Sequence, residues 1–193
     1  VRSFADDPGY IEALSSGVRQ HWLKHGRPTN SYRLVMSFHG VPRYTLEKGD
    51  PYHCECQKTG RLLAESLNLG TDQYQITFQS RFGRTEWLKP YTAQTLVELA
   101  QSGVERVDAI CPGFTADCLE TLDEIAMEGK SKFLQAGGRE FHYIPCLNER
   151  EDWIKALTVL AANHLQGWPT RSQPDRAALS ISALRAKALG AKL

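Results

Sequence analysis

The sequence lacks an excess of either charge: 23 Lys and Arg stand against 22 Asp and Glu, a formal net charge of +1. That excludes a basic nucleic-acid footprint spread over the whole chain. No apolar run approaches the ~20 residues that cross a bilayer, so the chain reads as soluble. There is no basic-then-apolar leader either. The chain opens Val1-Arg2-Ser3-Phe4-Ala5-Asp6-Asp7, without an initiator methionine, which suits a piece of something longer that is not secreted. Cysteine is sparse and odd in number, at Cys54, Cys56, Cys111, Cys118 and Cys146. Reduced thiols in the cytoplasm are therefore expected, rather than disulfides. Cys54 and Cys56 form a Cys-x-Cys pair, but no second pair at zinc or iron–sulfur spacing completes a site, so they are read as free thiols at a helix start.

What is present suffices for one core: 193 residues, 41% hydrophobic and 23% charged. Pro8, the apolar positions Ile11, Leu14, Val18 and Trp22, and Gly26 predict a helix from about Pro8 to His25. Tyr32-Arg33-Leu34-Val35-Met36 predicts a buried strand. Asp50-Pro51-Tyr52 opens a second helix that ends near Gly70, and Gln73 to Phe78 alternates as a second strand. A polar loop with an isolated Trp87 then leads to a helix capped by Thr92 and stopped by Gly103. A strand over Val107 to Cys111, a helix from about Asp117 to Gln135, a strand over Glu140 to Ile144 and a last helix from Glu149 or Arg150 to Gly167 complete the series. One helix followed by four βα units predicts an α/β fold, a four-stranded parallel sheet flanked by helices on both faces.

From Pro169 the composition shifts to Ser, Ala, Pro and base. Residues 169–193 carry a charge of +4, leaving −3 on residues 1–168. The tail is read as flexible or as a short amphipathic helix through Leu179, Leu184 and Leu189, suited to peripheral contact with a membrane or a partner.

The sheet would bring four loops to one edge, headed by His39, by Gln79 and Ser80, by Pro112-Gly113-Phe114, and by Pro145-Cys146. In open α/β sheets that edge binds ligands. Ser37-Phe38-His39-Gly40-Val41-Pro42 holds an imidazole where the first strand ends, between a permissive glycine and a stiff proline. Asp117, Glu120, Glu124 and Glu128 follow the third loop at helical spacing, which predicts one row of carboxylates. Such a row is either a solvated face or a functional one in which Glu120 faces His39. An imidazole opposed by a carboxylate suits a divalent metal that is held and released, and both groups accept protons. Trp87 and Phe38 would add a flat apolar surface, or serve only as core.

These residues fall in a recognisable order. Ser37 to Pro42, Gly49-Asp50-Pro51-Tyr52, Phe78-Gln79-Ser80-Arg81-Phe82-Gly83, Trp87-Leu88-Lys89-Pro90-Tyr91-Thr92, and Cys111-Pro112-Gly113-Phe114-Thr115-Ala116-Asp117-Cys118-Leu119-Glu120-Thr121-Leu122 resemble the C-terminal half of ferrochelatase, the lyase of haem biosynthesis that inserts Fe(II) into protoporphyrin IX. The likeness runs from about Pro8 to about Gly167, with the basic tail outside it. It implies a fold of two similar domains with the porphyrin between them, this chain holding the C-terminal domain at 1–168 and lacking the N-terminal one. It also implies that His39 and Glu120 bind the metal and accept pyrrole protons, that Glu124 is the next acid along, and that Phe38 and Trp87 lie near the macrocycle. Cys118 stands where some relatives have a histidine. The cysteine-rich extension that holds an iron–sulfur cluster in some members is missing, so no cluster is expected. Alternatives are a chelatase of another tetrapyrrole, or a haem- or metal-binding module without catalysis.

Overall fold

A computed structural model describes residues 1–27, 31–168 and 175–192 of the chain. The chain divides into two compact units, Val1–Val159 and Leu160–Leu193. In order come α1 (Pro8–His25), β1 (Tyr32–His39), α2 (Arg43–Glu47), α3 (Tyr52–Ser66), β2 (Tyr74–Gln79), α4 (Thr92–Gln101) and β3 (Arg106–Ile110). Next are α5 (Leu119–Thr121), a π-helical segment (Leu122–Gly129) and α6 (Lys130–Gln135), which run on without a break, then β4 (Glu140–Tyr143). Helix α7 (Glu151–His164) spans the division between the units, and α8 (Arg176–Ala188) lies in the second.

The strands form one parallel sheet in the order β2-β1-β3-β4. Strand β1 shows why both faces must be covered. Leu34, Met36 and Phe38 point to one side and Val35, Ser37 and His39 to the other, and every residue from Leu34 to Phe38 is buried. The first side packs against Tyr10, Ile11, Leu14, Val18 and Trp22 of α1 and Cys56, Leu63 and Ala64 of α3. The second side packs against Leu96, Leu99 and Ala100 of α4, with Ile125 and Phe133. After β1 the chain moves outward to β2, and after β2 it crosses back over β1 to β3. The order therefore reverses between β1 and β3, and a crevice opens there at the carboxyl ends of the strands.

Three local expectations change. Thr92 does not cap α4 with its side chain; Tyr91 is the N-cap, and Thr92 Oγ1 instead lies 2.8 Å from Ser37 Oγ and 2.9 Å from Thr77 Oγ1, a buried network that only the sheet could supply. Helix α2 was not expected, because its five residues bury nothing and carry no apolar period. The helix predicted from Asp117 begins only at Leu119, because the Asp117 carboxylate is occupied elsewhere: it accepts from Tyr143 Oη (2.5 Å), Asn148 Nδ2 (2.7 Å) and the Cys146 amide (3.1 Å). Asp117 thus ties the loop after β3 to the loop after β4. Burial would raise its carboxyl, but these donors hold it below the ordinary range.

In the second unit, Asp175 caps α8 by accepting from the Ala177 amide at 2.9 Å, and Leu179, Ile181 and Leu184 are exposed. Residues 169–174 of the expected tail lie outside the described residues. Among the described residues, no helix is long and apolar enough to cross a membrane. All five cysteines are free; Cys54 is exposed and Cys56 buried, since two residues apart on a helix point to different sides.

Candidate functional site

The site is assembled by strand register. His39 is paired with Gln79 at the ends of β1 and β2, and the Gly40 amide donates to the Gln79 carbonyl at 2.8 Å. Met36 is paired with Ile110, so the Pro112-Gly113-Phe114 turn rises beside His39. A Cβ on Gly40 would stand 2.8 Å from the Gln79 carbonyl oxygen and 3.0 Å from Trp87 Cε3. Only a glycine permits that approach.

The imidazole is held from both sides of its residue. His39 Nδ1 lies 2.6 Å from the Gly40 carbonyl, and Tyr52 Oη donates to the His39 carbonyl at 2.7 Å. A carbonyl only accepts, so Nδ1 carries the proton and the neutral ring keeps its lone pair on Nε2. The Trp87 and Phe114 rings flank the imidazole, each with its centroid 6.2 Å away. Trp87 is strapped in place by its loop, which runs antiparallel to residues 41–43: the Arg43 amide donates to the Glu86 carbonyl and the Leu88 amide to the Val41 carbonyl.

The carboxylates sort into separate environments. Glu120, in the single α-helical turn of α5, has its carboxyl held below the ordinary range by its own backbone amide, then by the Cys118 side chain, then by the charge of His39. Glu124 is clamped by donors from the end of β2: the Ser80 amide at 2.7 Å, Ser80 Oγ at 2.6 Å and Gln79 Nε2 at 3.3 Å. Ser80 has φ of 62°, a left-handed backbone uncommon outside glycine. Glu128 is exposed and pairs with Lys132 at 2.9 Å. Of the row expected from helical spacing, Asp117 drops out because it lies before the helix, while Glu120, Glu124 and Glu128 follow along α5 and the π-helical segment into surroundings that differ.

His39, Glu120, Glu124 and Trp87 thus lie at one sheet edge, and Phe38 does not. Its ring is buried on the opposite face of β1, 6.4 Å from the Phe78 ring and beneath the turn at Gly113. Alternation along a strand separates neighbours, so adjacency to His39 was misleading. Two residues given no role from sequence are prominent here. Phe114 stands beside the His39 ring, its centroid 6.2 Å away. Gln79 is buried and fully used: Oε1 accepts from Ser37 Oγ at 2.8 Å, and Nε2 donates to the Glu120 carbonyl at 2.7 Å as well as to Glu124. An uncharged polar side chain ending a buried strand was the available signal. Replacing Gln79 by leucine is expected to cost about 2–3 kcal/mol by leaving these groups unpaired. Urea unfolding of the variant chain reads this directly; an unchanged midpoint would show that Gln79 does not join β2 to the carboxylate segment.

Comparison with known proteins follows the same stretch of chain. A family model described as Ferrochelatase matches residues 1–165. The chain is 60% identical over 192 residues to a ferrochelatase of Methylibium petroleiphilum, covering 100% of this chain and 52% of that protein. It is 62% identical over 191 residues to a ferrochelatase of an Azoarcus species, covering 99% of this chain and 52% of that one. A ferrochelatase of Nitrosomonas europaea is 60% identical over 192 residues, again with 52% of its length covered. The chain therefore spans about half the length of the curated relatives it matches. The family model stops short of the basic tail, whereas these relatives align across nearly all of the chain, so the tail does not lie outside the likeness as expected.

Proposed function

The chain belongs to the ferrochelatase family, and on that premise we propose that its sheet edge is the metal- and proton-handling side of a cleft in which Fe(II) is inserted into protoporphyrin IX to give protohaem. A further domain of the complete protein supplies the opposing wall. What supports this reading most is the His39 ring, with Nδ1 committed to the Gly40 carbonyl and the Nε2 lone pair left for a metal or a proton.

The chemistry sets the requirements. Insertion exchanges one Fe(II) for two pyrrole N–H protons, so the site must present a ligand to the ion and bases to the protons. His39 Nε2 and the Glu120 carboxylate meet both needs, since imidazole and carboxylate are ligands for Fe(II) and acceptors for protons. Glu120, held in its charged form by its surroundings, attracts the cation. Glu124, fixed by Ser80 and Gln79, is the next acceptor inward, and a proton passed to it moves off the macrocycle. Trp87 and Phe114 offer apolar ring faces beside His39 for a planar ligand. Fe(II) enters as substrate and leaves within the product.

The ranking of the acids is testable. In the full-length protein, Glu120→Gln is expected to lower the rate of Fe(II) insertion by about a hundredfold, the scale of one lost acid–base group. Glu128→Gln, which alters only an exposed pair with Lys132, should leave it within about threefold. Equal losses would contradict the assignment. Insertion of another metal or into another tetrapyrrole at a higher rate would move the substrate reading to a different chelatase.

A further inference from the structure

A second constellation lies on the other face of the sheet from His39. His21 and His25 stand four residues apart near the end of α1, which puts them on one side of the helix. His142 of β4 is paired in register with Asp108 of β3, and Asp108 accepts from the Trp22 indole of α1 at 2.9 Å, so His142 and Asp108 face the same helix end. The three imidazoles meet there. Ring centroids are 4.5 Å apart for His21 and His25, 4.8 Å for His25 and His142, and 5.0 Å for His21 and His142. One nitrogen from each ring can be chosen so that all three lie within 4.8 Å of one another.

This arrangement is costly as a mere packing contact. His21 Nε2 is buried and has no hydrogen-bond partner among the described residues. Two rings also have a carboxylate near them: Glu140 Oε1 is 2.5 Å from His142 Nε2, and Asp108 Oδ1 is 3.7 Å from His21 Nε2, beyond hydrogen-bond distance. A carboxylate bonded to one ring nitrogen, as Glu140 is to His142 Nε2, orients the imidazole and raises the basicity of its other nitrogen toward a metal. The cationic neighbours are largely engaged, since Arg106 donates twice to Asp108, at 3.0 and 3.2 Å, and approaches Glu140 at 3.8 Å. Lys24, Lys130 and Arg150 also line the groove.

We propose that His21, His25 and His142 form a second divalent-metal site, for an imidazole-preferring ion of the Zn(II) type, with Glu140 as its outer carboxylate. Three imidazoles leave a coordination position open to water, as in exchangeable rather than closed zinc sites. Tetrahedral Zn(II) bonds of ~2.0–2.1 Å would draw the nitrogens to roughly 3.4 Å apart. The exposed His25 can make much of that adjustment by side-chain rotation. A bound ion would clamp the end of α1 to the edge strand β4, and it would do so independently of the proposed Fe(II) site.

Zn(II) titration by calorimetry, with thermal melts, tests this on the chain carrying His39→Ala, which removes the other imidazole of interest. That protein is expected to bind one Zn(II) and to melt at a higher temperature with it. Adding His25→Ala, at an exposed position, should weaken binding at least tenfold and abolish the shift in melting temperature, and His142→Gln should do the same. No Zn(II) bound by the His39→Ala chain, or unchanged affinity after either added substitution, would overturn the site.

Discussion

Replacing His39 by alanine in the full-length protein is expected to lower Fe(II) insertion into protoporphyrin by about a thousandfold, within the range for loss of a positioned acid–base group, while porphyrin affinity stays within a few fold. The split follows from the surroundings of the ring. Trp87 and Phe114 still offer their faces to a macrocycle without it. Tyr52 Oη bonds the backbone carbonyl of residue 39, so the substitution leaves that support in place. What disappears is an imidazole whose committed Nδ1 leaves the Nε2 lone pair for a metal or a proton. Insertion rate and porphyrin fluorescence quenching, measured on the same preparation, separate the two effects. Near-normal turnover would remove His39 from the reaction, and a parallel loss of porphyrin binding would make it a wall of the pocket instead.

The second large effect concerns the fold beneath both sites. Asp108 is fully buried on β3, where it accepts from the Trp22 indole at 2.9 Å and from Arg106 at 3.0 and 3.2 Å. Asp108→Ala leaves a guanidinium and an indole N–H buried without their acceptor, and an expected loss of about 3–5 kcal/mol follows. Denaturant unfolding at neutral pH measures it, and a loss under about 1 kcal/mol would show that Arg106 finds water instead. The pH dependence has a definite sign. Burial raises the Asp108 carboxyl, but His21 and Arg106 outweigh burial and hold it below its ordinary value. A carboxyl depressed in the folded state stabilises it above the unfolded value of about 3.9 and loses that contribution as pH falls through the folded value. The gap between wild type and Asp108→Asn should therefore be widest near neutrality and close in acid.

The two sites differ in how much the linear chain revealed. Strand β1 was legible because a strand covered on both faces reads as an unbroken apolar run, and His39 is where that run stops. The parallel α/β architecture followed from the alternation of periods, and α1 was bounded by Pro8 and Gly26. Phe38 shows the limit of proximity, because the residue beside His39 in sequence faces the opposite core. Thr92 and Asp117 carry residue types that usually cap helices, and both are diverted by partners distant in sequence: Ser37 for one, Tyr143 and Asn148 for the other. The π-helical segment at Leu122–Gly129 has the composition of an ordinary helix, so its wider winding left no signal in the sequence. The histidine cluster depends on docking the end of α1 against β4, residues more than a hundred positions apart; only His21 and His25, four apart, carried a local signal.

The most direct measurement is Fe(II) insertion into protoporphyrin IX, followed by the absorbance of protohaem, for this chain alone, for the full-length protein, and for the chain mixed with the remaining half. A chain that supplies the metal- and proton-handling wall of a two-walled cleft should be inactive or nearly so alone. The full-length protein should turn over, and the mixture should recover part of its rate in a manner lost with His39→Ala. Turnover by the isolated chain at the full-length rate, or a full-length protein that makes no protohaem, would contradict the account.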